Sequence, residues 1–169
     1  CYSKVGFSGM PPEEVMQLSR EYECGRLTED EFWTAFQSFA PDKSKSRKDL
    51  ENDFDSILTG VMPGMEELIS TLPLFGIQPV FFSDVSARHM RLVRKMFKAS
   101  AMVPDGIYSF EVGAMKPEEA MFSAFEKRFG VPALYVDDRE VLINAAKKRG
   151  WNAVVFTGAE DLTRSLQNC

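Results

Sequence analysis

After Pro63 the apolar residues change period at every step. The helical stretch GMEELISTL runs into an extended one, PVFFSD. ARHMRLVRKMF then leads to GIYSF, PEEAMFSAFEKRFG to ALYVDD, and EVLINAAKKRG to NAVVFTG. Helical spacing puts one apolar stripe against a neighbour, whereas a short continuous apolar run suits a strand covered on both faces. This alternation predicts an α/β fold: a Rossmann-like parallel sheet flanked by helices and joined by right-handed crossovers. In sheets of this kind ligands bind beyond the carboxyl ends of the strands.

The first third has a different texture. Pro11 and Pro12 suit a first helical turn, Glu13 and Glu14 its positive end, and Val15, Leu18 and Tyr22 follow at helical spacing, with Gly25 as the stop. Thr28 and Glu31 form a capping-box signature ahead of Phe32, Trp33 and Phe36, aromatics at core spacing. PDKSKSRKDL reads as a solvated connector, and DLENDFDSIL resumes a helix. Residues 1–58 are therefore expected to form a small helical piece, and residues 59–169 the α/β core.

Composition narrows the setting. The net charge of −5 argues against nucleic acid or an anionic membrane as the main partner. No apolar run approaches the ~20 residues of a membrane span. The three cysteines, Cys1, Cys24 and Cys169, resemble neither a disulfide framework nor a zinc site, so a reducing, cytoplasmic setting is expected. The opening Cys1, where Met would stand, predicts that sequence upstream has been removed or left out.

Polar residues collect where the strands are expected to end. Ser83 and Asp84 follow Val80–Phe82, Lys116 follows the segment around Ile107–Phe110, and Asp137 and Asp138 follow Leu134–Val136. A hydroxyl, a lysine and two carboxylates on one rim suit a phosphate with a hard cation. Ser83 would bind phosphate oxygens, Lys116 would neutralise phosphoryl charge, and the acidic pair would hold Mg²⁺, which prefers carboxylate oxygens. Singly, each residue has a plainer reading: Ser83 as a helix cap, Lys116 as a surface lysine, the Asp pair as an ordinary turn. Their shared order along the chain favours the site.

With these residues in place, the chain resembles the haloacid dehalogenase superfamily, mostly Mg²⁺-dependent phosphatases that work through an aspartyl-phosphate. It is most similar to the branch with a small helical cap, which includes the phosphatase-like N-terminal domain of soluble epoxide hydrolases and bacterial sugar-phosphate phosphatases. YECGRLTEDEFWTAF resembles the cap phrase of that branch, and VMPGMEELISTL the return to the core. FFSDVSARHM, YSFEVGAMKPEEAMF and LYVDDREVLINAAKKRGW resemble its second, third and fourth motifs. The resemblance implies Ser83 and Asp84 at the phosphate, Lys116 as the charge-neutralising residue with Pro117 opening the next helix, and Asp138 as a direct Mg²⁺ ligand oriented by Asp137. Two departures stand out: Asp84 where the branch usually has Asn, and Leu142 where it has Asn. His89 also matches, although a lone helical His is more often structural.

The family's first motif, D-x-D after an N-terminal strand, has no counterpart upstream of Thr28. Its first Asp is the nucleophile. In the family that strand lies between those ending at Ser83 and Asp137, so its absence predicts two strand pairs separated by about twice the ~4.8 Å strand spacing. The resemblance thus implies a phosphatase-like hydrolase domain for a small phosphomonoester, inactive as residues 1–169. The alternative is a non-catalytic pseudoenzyme, a binding or regulatory domain with a protein partner. A dehalogenase does not need the Mg²⁺ carboxylates, and a phosphate-receiver domain places its acidic pair before the serine and lysine.

Overall fold

The structure, a computed structural model, describes residues 2–167. Its helices follow local signals closely. After a short turn of helix, α1 (Tyr2–Val5), come α2 (Glu13–Glu23), α3 (Glu29–Phe39) and α4 (Arg47–Asp55). At the start of α3 the Thr28 hydroxyl accepts from Glu31 N–H while the Glu31 carboxylate accepts from Thr28 N–H, and Ser46 and Asp49 do the same for α4. Phe32, Trp33 and Phe36 are buried, and pack with Val5, Val15, Tyr22, Leu50 and Phe54 into one core.

The second part alternates as expected: α5 (Met65–Thr71), β1 (Phe81–Ser83), α6 (Ala87–Met96), β2 (Gly106–Tyr108), the single turn α7 (Ser109–Val112), α8 (Glu119–Phe129), β3 (Tyr135–Asp137), α9 (Glu140–Lys148), β4 (Ala153–Val155) and α10 (Ala159–Leu166). Short 3₁₀ turns follow α5 and α6. Pro117, expected to open α8, lies just ahead of it. A second core gathers Ile107, Met121, Phe122, Phe125, Tyr135, Ile143 and Trp151.

The strands are parallel, but they form two separate pairs among the described residues. In one, Phe81, Phe82 and Ser83 of β1 lie opposite Gly106, Ile107 and Tyr108 of β2. In the other, Tyr135, Val136 and Asp137 of β3 lie opposite Ala153, Val154 and Val155 of β4. Burial shows which edges are open. β2 is buried throughout, whereas β1 is only half-buried and β3 fully buried only at Tyr135. Inner strands of a parallel sheet would be the more covered. Phe81 N–H donates to Asp105 C=O across the β1–β2 pair, so the backbone groups of Phe82, one residue on, face away from β2.

The helical part is fastened to the second part at two places. On α6, the Arg88 guanidinium donates two bonds to Asp55, both 2.8 Å, and one to Glu29 at 2.5 Å. His89 beside it is buried and stacks on Phe54, with Nε2 3.4 Å from Asp55, which is the structural role. The turn after α2 is pressed onto α7: a Cβ on Gly25 (φ +68°) would stand 2.1 Å from the Phe110 carbonyl oxygen. No helix among the described residues is long and apolar enough to cross a membrane.

Candidate functional site

Three chain segments meet at the carboxyl ends of β1 and β3. Lys116 comes from the loop between α7 and α8, and its side chain is almost wholly buried. Its ammonium donates to the Phe82 carbonyl at 2.8 Å, to Asp137 Oδ2 at 2.7 Å and to the Tyr135 hydroxyl at 3.3 Å. All three N–H bonds are thereby used, and the charge also lies 4.9 Å from the Phe82 ring centre. One side chain therefore joins the open edge of β1 to the end of β3. Burying a lysine is costly unless it is paired, and these partners are what make the position tenable.

Asp137 is equally committed. Its Oδ2 also accepts from the Tyr135 hydroxyl at 2.8 Å, and its Oδ1 accepts from Arg139 N–H at 2.9 Å. Burial pushes its pKa up, but the bonds from Lys116, Arg139 and Tyr135 outweigh it and hold the carboxyl below its ordinary range. Tyr135 moves the other way: burial and the adjacent Asp137 push its phenol up, so it stays a donor. Asp84 forms the opposite wall. Its Oδ1 accepts from Lys116 N–H at 2.8 Å and its Oδ2 from the Arg139 guanidinium at 2.6 Å.

Ser83 ends β1, half-buried, and its hydroxyl makes no hydrogen bond among the described residues. Asp138 is exposed, with no hydrogen bond either. The structure thus brings Lys116, Asp137 and Asp84 into one bonded set, with Ser83 and Asp138 next to its members in the chain and their polar groups unengaged.

The donor set bears on the Mg²⁺ expectation. Among the described residues no group of three or more His, Cys, Asp or Glu is arranged to hold a metal ion. Mg²⁺ needs only one or two carboxylates, with waters and phosphate as its remaining ligands. Asp138 fits that demand. Asp137 has both oxygens engaged by protein donors and fits the supporting role.

Sequence reasoning missed four participants. Tyr135 and Arg139 lie on either side of the Asp pair in LYVDDRE, where Tyr135 was read only as part of a strand and Arg139 was given no role. Ser109 is fully buried where α7 begins: its hydroxyl accepts from Val85 N–H at 2.8 Å and lies 2.7 Å from the Glu23 carbonyl oxygen. Glu23, at the end of α2, is the fourth. Burial, with help from Asp84 and against Arg139, pushes its carboxyl up to about 7. Two shallow concavities of about 420 and 380 Å³ lie elsewhere, beside α10 and beside the turn after α2, and neither contains Lys116 or Asp137.

No protein-family model matches the chain, and no curated protein matches it. Solved structures do. A HAD family enzyme from Bacteroides thetaiotaomicron in its magnesium complex superposes with a TM-score of 0.81 at 21% identity, over 98% of this chain and 86% of that one. The same enzyme in complex with magnesium and inorganic phosphate gives 0.77 at 21%, over 93% and 83%. A HAD-like family hydrolase from Porphyromonas gingivalis gives 0.76 at 18%, over 91% and 82%. The fold is HAD-like.

Proposed function

We propose that this chain is a phosphohydrolase-type domain of the haloacid dehalogenase superfamily that takes a small phosphomonoester with Mg²⁺ at the Lys116 rim. Residues 1–58 act as its helical cap and residues 59–169 as its core. The observation that carries this reading is the Lys116 ammonium, buried at the strand ends and held 2.7 Å from Asp137. A cation fixed at the ligand edge of a parallel α/β fold is preorganised to meet phosphoryl charge. The likeness to an enzyme solved with magnesium and inorganic phosphate supports the same class.

In this reading the Ser83 hydroxyl and the backbone N–H groups after β1 bind phosphate oxygens. Lys116 turns to the phosphoryl group by giving up its longest bond, the 3.3 Å contact to the Tyr135 hydroxyl. Asp137 keeps the ammonium in place. Asp138 would hold Mg²⁺, which when bound supplies further charge neutralisation at phosphate. Residues 1–169 offer no attacking carboxylate by motif. Asp84 and Asp137 both accept bonds at each oxygen and serve as positioning groups. Turnover through an aspartyl-phosphate is therefore not expected from residues 1–169 alone.

The test is calorimetry of inorganic phosphate with Mg²⁺, beside phosphatase assays on residues 1–169 and on the chain with any native sequence upstream of Cys1. Phosphate binding lost in Ser83→Ala, and Mg²⁺-dependent turnover confined to the longer form and abolished by Asp138→Asn, is the expected result. Robust turnover by residues 1–169 that survives Lys116→Ala would overturn it. Binding without turnover in either form would favour the second reading, a non-catalytic domain with a protein partner. The Asp84–Arg139 pair across the rim, 2.6 Å, and the buried Leu142 favour that alternative.

A further inference from the structure

One shielded carboxylate sets the place of two cations at the rim. Asp84, its side chain 6% exposed, accepts from the Lys116 backbone N–H at 2.8 Å through Oδ1 and from the Arg139 guanidinium at 2.6 Å through Oδ2. Asp137 lies between the same two side chains: Lys116 Nζ is 2.7 Å from its Oδ2, and Arg139 Nε is 3.7 Å from its Oδ1. Lys116, Asp137, Arg139 and Asp84 thus close a ring across the ends of β1 and β3.

Arg139 is held by its backbone as well. Its N–H donates to Asp137 Oδ1 at 2.9 Å, and its carbonyl accepts from Leu142 and Ile143 in the first turn of α9. The guanidinium is nonetheless only partly spent. Nη2 bonds to Asp84, whereas Nε and Nη1 make no hydrogen bond among the described residues, and the side chain is 48% exposed. Lys116 is in the reverse state: buried, with all three N–H bonds engaged and one weak one to release. A phosphoryl group presents several oxygens, and Lys116 by itself can meet one of them. The unspent charged donors of the ring are on Arg139.

We propose that Arg139 is a second anion-binding residue of the rim, which Asp84 holds in place to meet the outer oxygens of a phosphoryl group. This rests on the phosphate-binding part of the reading above and applies with or without turnover. A half-exposed ion pair adds little to stability, so the Asp84–Arg139 bond does more as a positioning contact than as a fastening. Fixing the guanidinium before the ligand arrives spares its side-chain entropy on binding. Its planar fork suits two oxygens of one phosphoryl group, which a lysine ammonium, a point charge, does not. Lys116 then meets the group from inside the rim and Arg139 from the solvent side.

Calorimetry of inorganic phosphate with Mg²⁺ on the native chain, Arg139→Met and Arg139→Lys tests this. Arg139→Met is expected to weaken phosphate at least about tenfold, as loss of a charge-assisted pair does. Arg139→Lys keeps the charge without the fork and should recover part of the loss. Circular dichroism checks that both variants keep the fold. In ¹⁵N spectra of the arginine Nε groups, the signal missing from Arg139→Met should move when phosphate is added to the native chain. An unmoved signal, or unchanged affinity in Arg139→Met, leaves Arg139 as a neutraliser of Asp84 alone and overturns the inference, while binding that is lost in Ser83→Ala upholds the site. Tighter binding in Arg139→Met would make the pair a strap that obstructs the rim and overturns the inference too. Absence of phosphate binding by the native chain removes the site and the inference with it.

Discussion

The Lys116 ammonium lies 2.7 Å from Asp137 Oδ2, and through its 2.8 Å bond to the Phe82 carbonyl it spans two strand pairs that share no ladder. Removing one member of a buried pair leaves the other charge without compensation. Lys116→Met is expected to cost about 3–5 kcal/mol. The double variant with Asp137→Asn should recover part of that loss, because the stranded charge is gone. Urea denaturation of the four forms gives the coupling directly. A single-variant loss below about 1 kcal/mol would place the connection between the strand pairs elsewhere.

The pH dependence has opposite signs at two carboxyls. The folded Glu23 carboxyl titrates near 7, above its ordinary 4.5, so the folded state binds more protons than the unfolded one between those values. Stability should then fall as pH rises through that window. Glu23→Gln should remove this slope and gain on the order of 2–3 kcal/mol over the native chain at pH 8, with little difference at pH 4. Asp137 behaves conversely: its lowered pKa adds stability above its ordinary 3.8 that is lost as the solution is acidified through the folded value. Denaturation midpoints from about pH 2 to 8 separate the two.

Gly25 and Gly113 form a matched pair. Both have positive φ, but a Cβ on Gly113 meets nothing within 4 Å, while one on Gly25 meets the Phe110 carbonyl. Gly113→Ala should cost only the left-handed penalty, about 1–2 kcal/mol. Gly25→Ala should cost at least about 3 kcal/mol, because backbone must move as well. Thermal melts compare them, and equal losses would contradict the close approach of the two segments.

Arg88 answers to three acidic residues on the helical part, Glu29, Glu51 and Asp55, with its side chain mostly covered. Arg88→Met should destabilise by about 2–4 kcal/mol. Hydrogen exchange should quicken in α3 and α4 more than in β2, because the lost bonds join α6 to those two helices. Uniform quickening would instead mean that the two parts unfold as one unit.

What the sequence determined by itself is whatever depends on neighbours a few residues apart. The capping box of Thr28 and Glu31, the aromatic stripe of Phe32, Trp33 and Phe36, and the alternation that sets out β1 to β4 are local patterns, and the structure follows them. The pattern at the strand ends was legible for the same reason, since Ser83, Lys116 and Asp137 each sit beside an apolar run. What each does there was settled by packing. Lys116 is buried and fully engaged because Phe82 and Asp137, remote in the chain, present acceptors to it. Asp84 and Arg139 pair across 55 residues. The Glu23 carboxyl has a raised pKa through burial and the charge of Asp84, 61 residues further on in the chain. The separation into two strand pairs was expected as well, through the resemblance and its absent first motif. The register within each pair is a tertiary outcome, since backbone bonds form only with the strand that folding places alongside. Burial, Coulomb contact and shared hydrogen bonds fall off over a few ångströms in space, and no spacing along the chain fixes them.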